Sequence, residues 1–99
     1  MQITDNIKRY SSFIKRIATA PEPIRKRLLQ SSNLNIIKAI CELILNIVQK
    51  NISVPKSVIA GLKKNKQAVY QILESKGFEV RKTLLVKNSK VITPLAAIL

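Results

Sequence analysis

The chain has 99 residues, of which 18 are Lys or Arg, 5 are Asp or Glu and none is His, giving a formal charge of +13. Such a surplus repels itself unless an anionic partner neutralises it, so it indicates the kind of partner more than the fold. The length excludes a second ordinary domain, and 46% apolar residues suffice for one modest core.

The composition also excludes most catalytic chemistry. Without His, and with one Cys and five scattered acids, the chain has no material for a common nucleophile–base pair or a zinc site. Two glycines cannot form a phosphate-binding loop. We therefore expect a protein that is not an enzyme and that uses no cofactor or metal. Four aromatic residues are too few to favour binding of single strands by base stacking.

The first predicted element is an amphipathic helix over residues 4–18. Ile3, Ile7, Tyr10, Ile14 and Ile17 recur at intervals of three and four, the spacing of one helix face. The basic residues on its flanks are most simply solvated surface. These are Lys8, Arg9, Lys15 and Arg16.

Pro21 and Pro23 end the first helix and predict a short second helix that reaches about Gln30. Its expected core contacts are Ile24 and Leu28. The triplet Arg25-Lys26-Arg27 is the densest basic run in the chain. It fits a nuclear-import signal, a phosphate contact or plain solvated surface.

The central element is a predicted helix over residues 34–49, apolar over more than half of its circumference. Such a helix must be covered on several sides, so the others are expected to pack around it. Polar residues interrupt it, and it is shorter than the roughly 20 apolar residues of a membrane span. Cys41 lies within it and is expected to be a buried hydrophobe in a reducing compartment. No secretory signal is evident at the start of the sequence, which favours an intracellular protein.

After Pro55 the helical spacing resumes and continues to Ser75, and Gly61 marks either a kink or a division into two helices. Residues 78–99 are ambiguous. They fit a two-stranded wing over 78–92, or a helix over 79–87 followed by a mobile or apolar docking tail at 88–99. The overall expectation is an all-α fold: one domain of about four or five helices around helix 34–49. Homo-oligomerisation stays open, because so apolar a helix can exceed what its neighbours cover.

The basic residues are the candidate site, and phosphates of nucleic acid are the candidate ligand. Lys predominates among them, and Lys suits phosphate contact, whereas base recognition favours Arg, Asn and Gln. The expected binding is therefore non-specific. The candidate nucleic-acid-binding residues are Lys63, Lys64, Lys66, Lys76, Arg81 and Lys82, helped by Arg25, Lys26 and Arg27.

Several short motifs give the stretch 21–99 a family resemblance. They are Ile24-Arg25-Lys26-Arg27-Leu28-Leu29, the pattern Ile-x-x-x-Cys-Glu-x-x-x-Asn over 37–46, Asn51-Ile52, Leu62-Lys63-Lys64-Asn65-Lys66 and Arg81-Lys82-Thr83-Leu84-Leu85-Val86. In these motifs the chain resembles the small basic proteins of Polinton or Maverick elements and of the related adintoviruses.

The end of that family is similar to the C-terminal part of the adenovirus core protein X precursor. Here Ser89-Lys90 stands where the family has Gly-Gly, while Val91-Ile92-Thr93-Pro94-Leu95 keeps the apolar character. The resemblance implies a virion component beside packaged DNA, located in the host nucleus or in the particle.

Three functional hypotheses follow. The first is a viral or transposon-derived protein that condenses or tethers genome DNA through phosphate contacts. The second is a winged helix-turn-helix regulator with recognition helix 65–75, Gln67 and Gln71 facing bases, and wing 78–92. The third is a structural protein that contacts capsid protein or an anionic membrane through its first helix and the apolar end 91–99.

Overall fold

The computed structural model describes residues 5–99, and within them all regular secondary structure is helical. The α-helices are α1 (Asp5–Thr19), α2 (Glu22–Gln30), α3 (Leu34–Val48), α4 (Lys56–Lys64), α5 (Lys66–Glu74) and α6 (Phe78–Lys87). Two 3₁₀ helices follow, the first over Ser89–Val91 and the second over Thr93–Ile98. The predicted all-α fold is therefore confirmed. Thr4, the first residue of the first predicted helix, and Ile3, which belongs to its apolar stripe, lie outside the described residues.

The helix ends follow from local chemistry. Pro21 precedes α2 and Pro23 lies in its first turn, where a missing N–H costs no hydrogen bond. Asn33 caps α3: its side-chain oxygen accepts a hydrogen bond from the backbone N–H of Ile36 at 3.0 Å. Lys50 follows the end of α3 in the left-handed region with φ of 61°. Gly77, with φ of 95°, makes the turn into α6.

Helix α3 is the centre of the core, as the sequence predicts. Its buried residues are Ile36, Ile37, Ala39, Ile40, Cys41, Leu43, Ile44 and Ile47. It packs against α1, α5 and α6. One side of it stays uncovered, because Leu34, Leu45 and Val48 are 48%, 39% and 37% exposed.

The division between α4 and α5 falls at Asn65, and Gly61 does not kink the chain. The Asn65 side-chain N–H donates to the carbonyl of Gly61 at 3.2 Å, which occupies a carbonyl at the end of α4. Gly61 itself faces the second 3₁₀ helix. A Cβ at position 61 would lie 2.5 Å from Cγ of Pro94. Glycine is thus needed there for the close approach of the Pro94 ring to the backbone of α4.

The structure decides between the alternatives for residues 78–99: the predicted helix over 79–87 is present as α6, whereas the wing and the free tail are not. Within residues 78–92 the structure has helix and no strand, so the wing is absent. Residues 88–99 do not form a free tail, since Val91, Ile92 and Leu95 are each 0% exposed. The second 3₁₀ helix packs between α1 and α4 and closes the core. The buried side chains of the apolar end are therefore part of the core.

The second helix is correctly placed but its buried face is not the predicted one. Ile24 is 46% exposed and Leu28 is half-buried, whereas Arg25 and Leu29 are buried. The buried face of α2 is thus displaced by one residue from the predicted face. The principal extents of 29, 28 and 27 Å show a nearly spherical domain, and its Cα radius of gyration is 12.0 Å.

Candidate nucleic-acid interface

The outer face of α1 carries the largest group of exposed cations on one helix. Ile7 and Ile14 hold the opposite face in the core. Basic residues adjoin each of them in the sequence and project to the other side of the helix. Lys8, Arg9, Lys15 and Arg16 are all exposed, together with Ser12 and Thr19. Since Lys8 and Arg16 are separated by about 12 Å along the helix axis, this α1 face is a basic strip that can reach neighbouring phosphates of a duplex.

A second basic face lies on α4. Burial of Val58 and Leu62 sets the orientation of the helix, and Lys56, Lys63 and Lys64 are exposed on the other side. The small side chain of Ala60 is exposed one turn after Lys56 and one turn before Lys63 and Lys64. Because Ala60 is small, the surface between the lysines is recessed, and a flat or convex partner can approach this α4 face.

The Arg25-Lys26-Arg27 triplet does not act as one group. Arg25 is 7% exposed. Its Nε donates to Oγ of Ser89 at 3.0 Å, and its Nη1 donates to the carbonyl of Ala20 at 3.0 Å. Lys26 pairs with Glu22 at 3.4 Å, and Arg27 is exposed. Consecutive helical residues point about 100° apart, so three in a row cannot share a face. The candidate assignment of Arg25 as a phosphate contact is therefore wrong.

Two further candidates hold other parts of the fold. Arg81 is half-buried, and its Nε donates to the carbonyl of Ser75, just after α5, at 3.1 Å. Lys82 is also half-buried, and its Nζ donates to the carbonyl of Ser32, just after α2, at 3.1 Å. Arg25 likewise donates to a carbonyl just after α1. In each case a cation occupies the negative end of a helix dipole, where it is stabilising.

The remaining candidates are accessible. Lys63, Lys64, Lys66, Lys76 and Arg27 are exposed. The Nζ of Lys66 lies 5.8 Å from the centre of the Tyr70 ring, within the range of a cation–π contact. Lys63, Lys64 and Lys66 lie at the junction of α4 and α5, whereas Arg27 lies on α2. Exposed cations occur on other elements too, but α1 and α4 hold the largest groups.

The proposed recognition helix has a mixed surface. Gln67 and Gln71 are exposed on α5, as a base-contacting role requires. Glu74 is exposed on the same helix, where it would repel phosphate. The helix at 78–87 removes the wing that would extend the contact. The winged helix-turn-helix hypothesis thus loses the feature on which it most depended.

The lone cysteine packs as a hydrophobe. Cys41 is 4% exposed. Burial raises the pKa of its thiol to about 11, although the positive charge of Arg81 acts in the opposite direction. Among residues 5–99 no cluster of His, Cys, Asp or Glu has the size to hold a metal ion. In that same part of the chain, no helix is both long and apolar enough to cross a bilayer.

Two parts of this surface are not among the binding residues that the sequence predicts. The sequence analysis interprets the α1 cations as solvated flank, although their spacing, one or two residues after Ile7 and Ile14, is visible in the sequence. Lys90 enters the sequence analysis only in the pair Ser89-Lys90, without a role in binding. It lines the same groove as Lys64, formed with the C-terminal segment. Residues so distant in the chain give no local sequence signal that they share a groove.

The fold and this surface define a small all-α domain with basic outer faces on α1 and α4. A scan against protein-family models finds no matching family, and neither curated proteins nor solved structures give a match.

Proposed function

We propose that this protein is not an enzyme and that it binds double-stranded DNA through backbone phosphates without selecting a sequence. The observation that carries the proposal is the excess of exposed cations. If every one of the five acids were paired, 13 of the 18 Lys and Arg would still lack a carboxylate partner. Phosphates of a duplex are the densest common source of compensating charge, and release of their counterions drives such binding.

The distribution of these cations favours phosphate contact over base recognition. Lysines form the α4 face, and hydroxyl groups interleave the cations of the α1 face. Lys is a compact point charge that contacts phosphate without directional constraint, and Ser or Thr hydroxyls also donate to phosphate oxygens. The resemblance of segment 21–99 to basic proteins of Polinton elements and adintoviruses supports a more specific proposal. In it the protein condenses or tethers a viral or transposon genome in the nucleus or the virion.

The test is a mobility-shift titration with duplexes of unrelated sequence across a range of salt concentrations. If about six phosphates are contacted, log affinity should fall with log salt at a slope near −5, equally for every sequence. Affinity that survived about 0.5 M salt, or that depended strongly on sequence, would contradict the proposal.

Matched variants localise the contact. One variant replaces Lys8, Lys15 and Arg16 by Gln, and a control replaces Lys38, Lys50 and Lys87, which are also exposed. Both lose three positive charges. The first should flatten the salt slope by about 2 to 3, since each lost phosphate contact removes about 0.9. Equal losses in the two variants would show that the α1 face has no special part in binding.

A further inference from the structure

A shallow groove joins α4 to the C-terminal segment, and it brings together two cations that are distant in the sequence. Lys64 at the end of α4 and Lys90 in the first 3₁₀ helix line the same groove. Both are exposed, and so are the hydroxyl-bearing side chains of Ser57 and Thr93, which line it with them.

The lining of this groove includes no Asp or Glu. Its remaining lining residues are small or apolar, apart from the amide of Asn65. Two lysines in one concave surface without a carboxylate repel each other, and a concave low-dielectric wall concentrates their field. The groove is thus electrostatically suited to an anion, while its hydroxyl groups supply neutral hydrogen-bond donors of the kind found at phosphate sites.

The groove is held in shape by the core beneath it. Val58, on the inner side of α4, is 1% exposed, and Leu95, in the second 3₁₀ helix, is 0% exposed. Between them, Gly61 allows Pro94 to approach closer than any side chain would permit. Because both walls are fixed by packing, the backbone that carries the two lysines is held in place before any ligand arrives, which lowers the entropic cost of binding.

The lining also distinguishes between phosphate sources. Membrane-surface sites place large apolar or aromatic side chains beside their cations, so that these enter the acyl region. Here the exposed apolar wall consists of small residues, Pro94, Ala96 and Ala97. This favours a ligand whose phosphate lies on a polar, convex backbone, which is the geometry of a nucleic acid strand.

We infer that the groove between α4 and the second 3₁₀ helix seats one backbone phosphate of a nucleic acid, with Lys64 and Lys90 on either side and the hydroxyls of Ser57 and Thr93 donating to its oxygens. The inference rests on the proposed function, and it assigns to Lys90 a role that adjacency in sequence does not suggest. It also makes the C-terminal segment, which closes the core, part of the binding surface.

The test compares the double variant Lys64→Gln/Lys90→Gln with the control Lys50→Gln/Lys87→Gln, whose residues are likewise exposed and which loses the same charge. The probe is one short DNA duplex, measured by fluorescence anisotropy across salt. The groove variant should lower the salt slope by about 1.8, and its affinity should fall at least about tenfold below that of the control. Circular dichroism checks that both variants are folded.

A second variant separates hydrogen bonding from charge. Ser57→Ala/Thr93→Val leaves the net charge unchanged, so it should weaken duplex binding several-fold without altering the salt slope. If the wild-type protein bound no duplex at all, the proposed function itself would be contradicted. Wild-type protein that binds, with groove and control variants equally weakened, would overturn the groove assignment alone. The groove assignment would also be overturned if substitution of Lys64 and Lys90 weakened binding to vesicles of phosphatidylserine and phosphatidylcholine more than binding to the duplex.

Discussion

Adjacent basic residues on α2 have unequal roles because a helix turns them toward different surroundings. Arg25 is buried, and its guanidinium donates to two neutral oxygens, those of Ser89 and Ala20. It thereby ties α2 both to the end of α1 and to the first 3₁₀ helix. Arg27 reaches solvent. A count of cations in a run therefore overstates the number that can meet a ligand.

We predict unequal losses of stability for two substitutions that remove the same charge. Arg25→Gln should lower the free energy of unfolding by about 1 to 3 kcal/mol, because it leaves buried acceptors without a donor. Arg27→Gln should change it by less than about 0.5 kcal/mol. Urea denaturation followed by circular dichroism measures both. Equal stabilities would show that the Arg25 hydrogen bonds contribute nothing to the fold.

Cys41 gives a second prediction at this scale. Its pKa is raised to about 11 from an ordinary value of 9.0. At pH 8 the folded thiol should have roughly 100-fold less thiolate than the unfolded chain, since each pKa unit is tenfold. Alkylation by iodoacetamide, followed by mass spectrometry, should accordingly be at least ~100-fold slower in buffer than in denaturant. Comparable rates in the two solvents would show that the thiol is open.

Helix α4 and the second 3₁₀ helix approach each other closely at Gly61. Gly61 weakens a helix by about 1 kcal/mol relative to Ala, so its presence in α4 needs a reason. That reason is Pro94, whose ring occupies the space of a Cβ at position 61. The ring is rigid and cannot rotate away from an added methyl group.

Gly61→Ala should therefore destabilise the protein although it improves helix propensity. Overpacking of this kind costs about 1 to 3 kcal/mol, which exceeds the propensity gain of about 1 kcal/mol at the upper part of its range. Thermal unfolding should show a lower Tm. The double variant Gly61→Ala/Pro94→Ala should recover part of the loss, because it removes the Cγ that would lie at 2.5 Å but keeps the Cβ that would lie at 2.9 Å. A Gly61→Ala protein more stable than wild type would contradict the close approach.

The C-terminal segment makes a prediction of its own. Removal of residues 89–99 deletes three fully buried side chains, those of Val91, Ile92 and Leu95. Each is worth about 1.5 to 3 kcal/mol of burial, and the sum is comparable to the whole stability of a small domain. The truncated chain should lose its cooperative thermal transition in circular dichroism. A shortened protein that still unfolds cooperatively would show that residues 89–99 are not needed for the core.

The elements themselves were largely predictable. Proline positions and the capping residue Asn33 place the boundaries of α2 and α3, because those effects are local. The buried face of α2 was not predictable, since Arg25 was expected at the surface and its partner Ser89 is 64 residues away. The choice between wing and helix at 78–92 was also open, because the apolar pattern there fits both structures.

For the molecule as a whole, uncompensated charge is the dominant physical fact. Thirteen excess positive charges on a sphere about 28 Å across repel one another, and dissolved ions screen that repulsion. The same ions compete with phosphates for the cations. Salt therefore has opposite effects on folding and on binding.

We predict that Tm rises by a few degrees as NaCl increases from about 10 mM to about 200 mM, because the Debye length falls from ~30 Å to below ~10 Å. Differential scanning calorimetry at each concentration measures this. Over the same range, duplex affinity should fall by orders of magnitude. A Tm that declined with added salt would mean that attractive surface pairs outweigh the repulsion.

The sequence by itself determined the helical class, the central position of α3 and the sign of the charge. Periodicity, capping and composition are local or additive properties, and they survive any arrangement of the helices. Tertiary structure alone decided which cations face outward. It turned Arg25, Arg81 and Lys82 toward carbonyls beyond helix ends and placed Lys90 and Lys64 in the lining of one groove. Such arrangements depend on distances between parts of the chain that no linear pattern records.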